Sequence, residues 1–240
     1  MAIDPFLLLR AYAMGIFPMS DDREDDETYW VEPRRRAILP LHGFHLSRSL
    51  TKTLRTGRFT VTVDRDFSGI VRLCAESAPD RPTTWINHPI EESYARLHRL
   101  GFAHSVECRE GEELVGGLYG VALGRAFFGE SMVSRRTDAS KIALATLVAR
   151  LRVGGFELLD CQFMTEHLRS LGAIEIDQRD YQSLLSGALS GVALDGESAL
   201  LSAGPGAASE RAFGAGFAAA LTVPEPVSGQ VIAQLLTHTS

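Results

Sequence analysis

The chain has 240 residues, 45% of them hydrophobic and 22% charged, and a formal net charge of −6. That is ordinary globular composition, with room for one large domain or two small ones. No run of ~18 apolar residues exists and the N-terminus lacks the features of a signal peptide, so no membrane span and a cytoplasmic location are expected. The three cysteines, Cys74, Cys108 and Cys161, are far apart, and neither CxxC nor HExxH occurs. Three reduced thiols are expected, with no disulfide framework and no metal site.

Asp4 reads as a helix N-cap with Pro5 at the first helical position, and the helix runs to about Met14 before Gly15. An acidic, turn-rich loop follows from Asp21 to Glu27. From Pro33 to Val63 there is then no acidic side chain, while Arg34, Arg35, Arg36, Arg48, Lys52, Arg55 and Arg58 fall within it. A basic island in an acidic chain is the footprint of a local phosphate contact; the competing reading is a solvated helix face. Ser47 to Arg55 reads as a short capped helix, Phe59 to Val63 as a strand and Phe67 to Glu76 as a helix. Ser77 to Pro82 reads as a loop or linker.

Pro89 to Leu100 is expected to be a helix. Ala103–Cys108, Leu114–Ala122 and Arg125–Met132 are expected to be strands of an antiparallel meander, separated by turns at Gly111 and Gly124. Leu144, Leu147, Val148 and Leu151 form one apolar helical stripe within Asp138–Arg152. Phe156 to Asp160 reads as a short strand, and Asp180 to Leu185 lies in a last helix. The Ala-, Gly- and Ser-rich remainder reads as an accessory extension, in which Val227–Leu236 could form a short docking helix. The expected division is 1–82, a small N-terminal domain; 83–188, a catalytic domain; and 189–240, the extension. The order of elements is mixed α/β (α+β), with a mostly antiparallel mixed sheet similar to that of GNAT-type acyltransferases. Such a likeness speaks to fold alone.

Two short segments carry the candidate chemistry. In Phe127-Phe128-Gly129-Glu130-Ser131-Met132, strand alternation sets Phe127, Gly129 and Ser131 on one face and Phe128, Glu130 and Met132 on the other. A carboxylate between apolar neighbours must find a partner, and an ion pair with Arg135 or Arg136 is the plain alternative to catalysis. Asp160-Cys161-Gln162 ends an apolar strand, where ligands collect in α/β folds. Asp160 and Gln162 would hold an amine and steady a carbonyl, unless Asp160 merely caps the next helix. A Cys161 nucleophile with His167 as base ranks below both readings. Trp30 and Trp85 beside loops could stack a base, or simply pack. No GxxxxGK[ST] loop and no convincing GxGxxG is present, so ATP- or NAD-dependent chemistry has no support.

These segments together resemble the leucyl/phenylalanyl-tRNA–protein transferase family. The likeness rests on Tyr12-Ala-Met-Gly-Ile-Phe-Pro18, Trp30 with Pro33-Arg34, Thr84-Trp85-Ile86, Gly116-Gly-Leu-Tyr-Gly-Val121, Phe128-Gly-Glu-Ser-Met132, Ser134-Arg135, Ala139-Ser-Lys141, Asp160-Cys-Gln162 and Ser170-Leu-Gly-Ala173. The resemblance implies aminoacyl-tRNA carrying Leu or Phe as donor and proteins beginning with Arg or Lys as acceptors. It implies no cofactor, and a monomer is expected. Carried over, it makes Asp160, Gln162 and Glu130 catalytic. It sets Trp30, Trp85, Tyr94, Phe127, Gly129 and Ser131 around the donor, and Leu118, Met132 and Leu147 around the transferred side chain. Arg48, Lys52 and Arg55 are the expected tRNA phosphate contacts. A CoA-dependent acetyltransferase and a non-catalytic tRNA-binding module are the rivals.

Overall fold

The computed structural model describes residues 1–77, 83–190, 192 and 228–237. In chain order the elements are α1 (Pro5–Ala13), β1 (Phe17–Met19), β2 (Tyr29–Val31), β3 (Arg35–Ile38), a 3-10 turn (Leu41–Gly43), α2 (Arg48–Thr56), β4 (Thr60–Val63), α3 (Phe67–Ala75) and α4 (His88–Arg99). They continue with β5 (Ala103–Glu110), β6 (Glu113–Leu123), β7 (Ala126–Ser134), α5 (Ala139–Val153), β8 (Leu158–Gln162), α6 (Glu166–Ser170), β9 (Ile174–Asp177), α7 (Gln178–Ala188) and α8 (Gly229–Thr237). Local chemistry accounts for the helix ends. Asp4 accepts hydrogen bonds from the Phe6 and Leu7 amides, with Pro5 following. Ser47 Oγ accepts from the Leu50 amide, and Gly57 closes α2 in the left-handed conformation at φ 63°.

Seven strands form one sheet in the order β4-β5-β6-β7-β8-β3-β9. Strands β5, β6 and β7 are the expected antiparallel meander. Among these described strands, β7 and β8 are the one pair that runs parallel. Strands β3 and β4, from the segment assigned by sequence to a separate N-terminal domain, belong to this same sheet. Most of the linker expected at 77–82 and of the 189–240 extension lies outside the described residues. Among the described residues no helix is long and apolar enough to cross a membrane.

The two sheet faces carry separate cores. Leu50 and Leu54 of α2, the apolar side chains of α5, and Ile232 and Leu236 of α8 fill one. Residues of α1, α3, α4 and α7 fill the other, with Tyr12, Tyr94, Tyr119 and Tyr181 among them. Helix α5 therefore departs from the single stripe expected of it. It is buried from Ala139 to Leu151 except at Lys141, because the sheet covers one side while α2, α8 and the 3-10 turn cover others. A helix enclosed in this way has no polar face to show, which masks its amphipathic period.

Strict alternation along β7 also fails. Its register with β6 passes from Tyr119↔Ser131 to Gly120↔Gly129, which leaves Glu130 as an extra, unpaired residue. This bulge re-aims everything beyond it. Phe127 and Met132, expected on opposite faces, join the same core, and Phe128 joins Val133 in the other. Gly120 permits the arrangement, since a β-carbon there would lie 2.2 Å from the Phe128 carbonyl oxygen and 2.4 Å from the Phe127 ring.

Candidate active site

Parallel pairing of β7 with β8 ends at Phe128↔Asp160. Past that point no further backbone pairing joins the two strands, and the next residues of each, Gly129-Glu130 and Cys161-Gln162, line a cavity of about 410 Å³. Its wall is largely apolar, built from Leu118, Met132, Leu144, Leu147, Leu159 and Leu168, with Trp85, Tyr119, Ser131, Phe163, Thr165 and His167 completing it. The sequence-derived residues Trp85, Leu118, Gly129, Glu130, Ser131, Met132, Leu147 and Gln162 thus meet around one space.

Glu130 is the ionisable carboxyl in that wall, and its residue is only 7% exposed. Tyr94 donates to Oε2 at 2.6 Å and the Gln162 amide donates to Oε1 at 2.9 Å. The Tyr94 hydroxyl is in turn hydrogen-bonded to that of Tyr12. Burial pushes the Glu130 carboxyl up to about 7. The hydrogen bonds from Tyr94, Tyr12 and Gln162 pull the other way, and the charge of Asp160 adds to the rise. The alternative ion pair does not form: Arg135 pairs with Glu76, and Arg136 with Glu110 and Glu113. A near-neutral carboxyl in a cavity wall suits proton transfer at physiological pH.

Gln162 adopts φ 62°, a left-handed conformation uncommon for a side chain of its size. Asp160 helps hold it there, its Oδ1 accepting from the Gln162 backbone amide at 2.8 Å. Asp160 itself is fully buried and does not line the cavity. Arg36 Nε reaches its two oxygens at 2.9 and 3.0 Å, Arg36 Nη2 reaches Oδ2 at 2.5 Å, and Tyr181 donates to Oδ2 at 2.8 Å. Arg36 also donates to the Gly15 carbonyl at 2.9 Å, and its guanidinium lies against the rings of Phe17 and Tyr181. This one arginine fastens the N-terminal segment to β8. It therefore leaves the set of phosphate-contacting residues that the basic island suggested.

Three other sequence-derived residues lie off the cavity. Tyr94 stands behind Glu130, Phe127 is wholly buried beside Gly120, and Trp30 is 41% exposed in the β1–β2 hairpin, where it pairs with Pro18. Arg48, Lys52 and Arg55 lie on one edge of α2 and, with Thr51 and Thr56, line a surface cleft of about 420 Å³. No ion-pair partner for these three occurs among the described residues. Burial and then the Asp160 charge push the Cys161 thiol up, which works against a thiolate nucleophile.

The site roles of Arg36, Tyr12 and Tyr181 were not foreseen from sequence: Arg36 was grouped with the basic island, Tyr12 appeared only within a family motif, and Tyr181 was not singled out. A signal existed for Arg36, the last cation before the apolar run Ala37-Ile38-Leu39, because a charge entering a core strand demands a buried partner. Nothing local singles out the two tyrosines.

An apolar cavity of about 410 Å³, walled by a carboxyl whose pKa burial raises and by a side-chain amide, has the make-up of an enzyme active site. Comparison with known proteins makes this specific. The family described as Leucyl/phenylalanyl-tRNA protein transferase matches residues 38–186, and its N-terminal domain matches residues 1–34. Similar proteins carry the same name. One from Rhizorhabdus wittichii is 57% identical over 246 residues, covering 100% of this chain and 99% of that protein. One from Zymomonas mobilis is 63% identical over 195 residues, covering 81% and 73%. One from Cereibacter sphaeroides is 62% identical over 192 residues, covering 80% and 88%. The chain belongs to the leucyl/phenylalanyl-tRNA–protein transferase family, and it is an aminoacyltransferase.

Proposed function

We propose that this protein moves a leucyl or phenylalanyl group from aminoacyl-tRNA to the N-terminal α-amine of proteins beginning with Arg or Lys, marking them for degradation, and that it works as a cytoplasmic monomer. The observation that carries the reading is the cavity-lining Glu130 carboxyl, held near neutrality and 2.9 Å from the Gln162 amide, above an apolar pocket.

The donor's side chain enters the pocket between Leu118, Met132 and Leu147, which leaves its ester beside Gly129, Glu130 and Gln162. Trp85 and Ser131 border the terminal nucleoside, and Trp30 offers a stacking surface further out. The acceptor amine, with an unperturbed pKa of ~7.7–8.0, attacks the ester carbonyl carbon. Glu130 takes the proton that the amine loses as the C–N bond forms. Gln162 Nε2 has a second N–H, beyond the one given to Glu130, to offer the developing oxyanion. When the intermediate collapses, the bond to the tRNA 3′ oxygen breaks and the proton passes from Glu130 to that oxygen. Asp160 acts through Gln162, fixing its backbone and the end of β8. Arg48, Lys52 and Arg55 hold tRNA phosphates, which positions the donor without reading its sequence.

Transfer of labelled leucine and phenylalanine from charged tRNA to an Arg-initiated peptide tests the reading. Folded protein that transfers neither would overturn it. Binding of tRNA without transfer would then favour the binding module, and binding of acetyl-CoA the acetyltransferase.

A further inference from the structure

Helix α8 lies beyond the residues matched by the family, which end at 186, yet it is built into the molecule at one particular place. Its buried side chains Ile232, Ala233 and Leu236 face α2 and α5, and Ile232 and Leu236 share a core with Leu50 and Leu54. Gly229 is the point of closest approach. A β-carbon there would fall 1.9 Å from the Leu54 carbonyl oxygen, so only glycine lets the two helices meet as they do. At the other end Arg152 of α5 reaches the Leu236 carbonyl at 3.4 Å.

Helix α2 is held from its inner side and, through Thr53 Oγ1 donating to Asp138 Oδ2 at 3.2 Å, at the start of α5. Leu50 and Leu54 point inward, while Arg48, Lys52 and Arg55 edge the surface cleft. It is nine residues long, too short to hold its shape without tertiary support. Support from the inner side therefore sets where the cationic edge stands.

We infer that α8 is a positioning element for the donor tRNA: it braces α2 against α5 and so fixes the phosphate-contacting edge, without touching the reacting groups. The inference rests on the reading of α2 as the tRNA-contacting helix. Gly229 and Leu236 are then positioning residues whose effect appears in tRNA affinity.

The test uses the full chain carrying Gly229→Val, which forces α8 off Leu54, with the milder Leu236→Ala beside it. The expected result is a rise of about tenfold in KM for aminoacyl-tRNA, or in Kd for uncharged tRNA, with kcat changed by less than twofold and faster hydrogen exchange at the α2 amides. A triple Arg48→Ala, Lys52→Ala, Arg55→Ala variant runs in parallel. In that background Gly229→Val should add nothing further to KM, because the edge being positioned is gone. If the triple variant raises KM while both α8 variants leave it at the parental value, the positioning role is wrong and the reading of α2 stands. If the triple variant itself leaves KM unchanged, the reading of α2 fails and the inference with it. A fall in kcat with KM constant would equally overturn the role proposed for α8.

Discussion

Arg36 and Asp160 form a two-pronged ion pair in which the side chains are 1% and 0% exposed. The pair joins β3 to β8, and Asp160 also accepts from the Tyr181 hydroxyl and the Gln162 backbone amide. Breaking one half of such a pair leaves a bare charge in the core, which costs about 3–5 kcal/mol. Asp160→Asn and Arg36→Met should each lose stability on that scale in denaturant unfolding. The double variant should be closer to the parent than either single, because no unpaired charge remains, even though the one asparagine oxygen can accept from only one of the Tyr181 hydroxyl and the Gln162 backbone amide, which bond to different Asp160 oxygens. Additive losses would contradict the account. Transfer should fall in all three through kcat, with KM for tRNA held, since Gln162 is displaced and α2 is not.

Glu130 makes the pH dependence specific. Its carboxyl is raised from an ordinary 4.5 to about 7 by burial. A raised pKa means that the folded state holds a proton which the unfolded chain has already released. Glu130 thus adds stability below pH 4.5, and that contribution is lost as pH climbs through about 7, with a full swing on the order of 3 kcal/mol. Glu130→Gln should remove this component, so that stability falls less between pH 5 and pH 8 than in the parent. Activity runs the opposite way. Parental kcat should rise with pH through about 7 as the carboxylate forms, and the glutamine variant should be slower by at least about a hundredfold with that limb absent. A parental profile flat from pH 6 to 8 would remove Glu130 from the proton transfer.

Much of this architecture was legible because it is local. Caps at Asp4 and Ser47, the glycine stop at Gly57 and the strand–turn–strand spacing of β5 to β7 are written in neighbouring residues. Strands β3 and β9 were not, since each is four residues long and gains its place only from partners more than a hundred positions away in sequence. The cavity residues were found through short motifs, but the bulge at Glu130 was invisible to a period of two. So was the distinction between Gln162, which faces the cavity, and Asp160, which is spent on Arg36. The basic island was legible as charge alone. Only tertiary structure separates the buried Arg36 from the surface-exposed Arg48, Lys52 and Arg55.

The edge of α2 yields a test in salt. Cations that neutralise phosphates release counterions, so affinity falls with rising salt, by roughly one unit of log–log slope per contact. Removing Arg48, Lys52 and Arg55 together should flatten the salt dependence of tRNA binding by about two to three units. Affinity for differently charged tRNAs should drop alike, since phosphate contacts carry no sequence information. An unchanged slope would place the tRNA elsewhere on the surface.

The apolar pocket sets the choice between donors. Leu147 stands on α5, and its side chain both lines the cavity and belongs to the core behind it. Leu147→Ala therefore has two separable effects. Loss of buried methyl groups should lower stability by about 2–5 kcal/mol. The added space should favour the larger phenylalanyl group, since a methylene in an apolar pocket is worth ~1–3 kcal/mol, or about 10- to 200-fold. The ratio of kcat/KM for phenylalanyl- over leucyl-tRNA should then rise at least about tenfold, measured with the two donors in competition at a temperature where the variant is folded. Leu144→Ala, on the same wall one turn earlier, should shift the ratio in the same direction. A ratio unmoved by both would place the transferred side chain outside this cavity, whatever the variants did to stability.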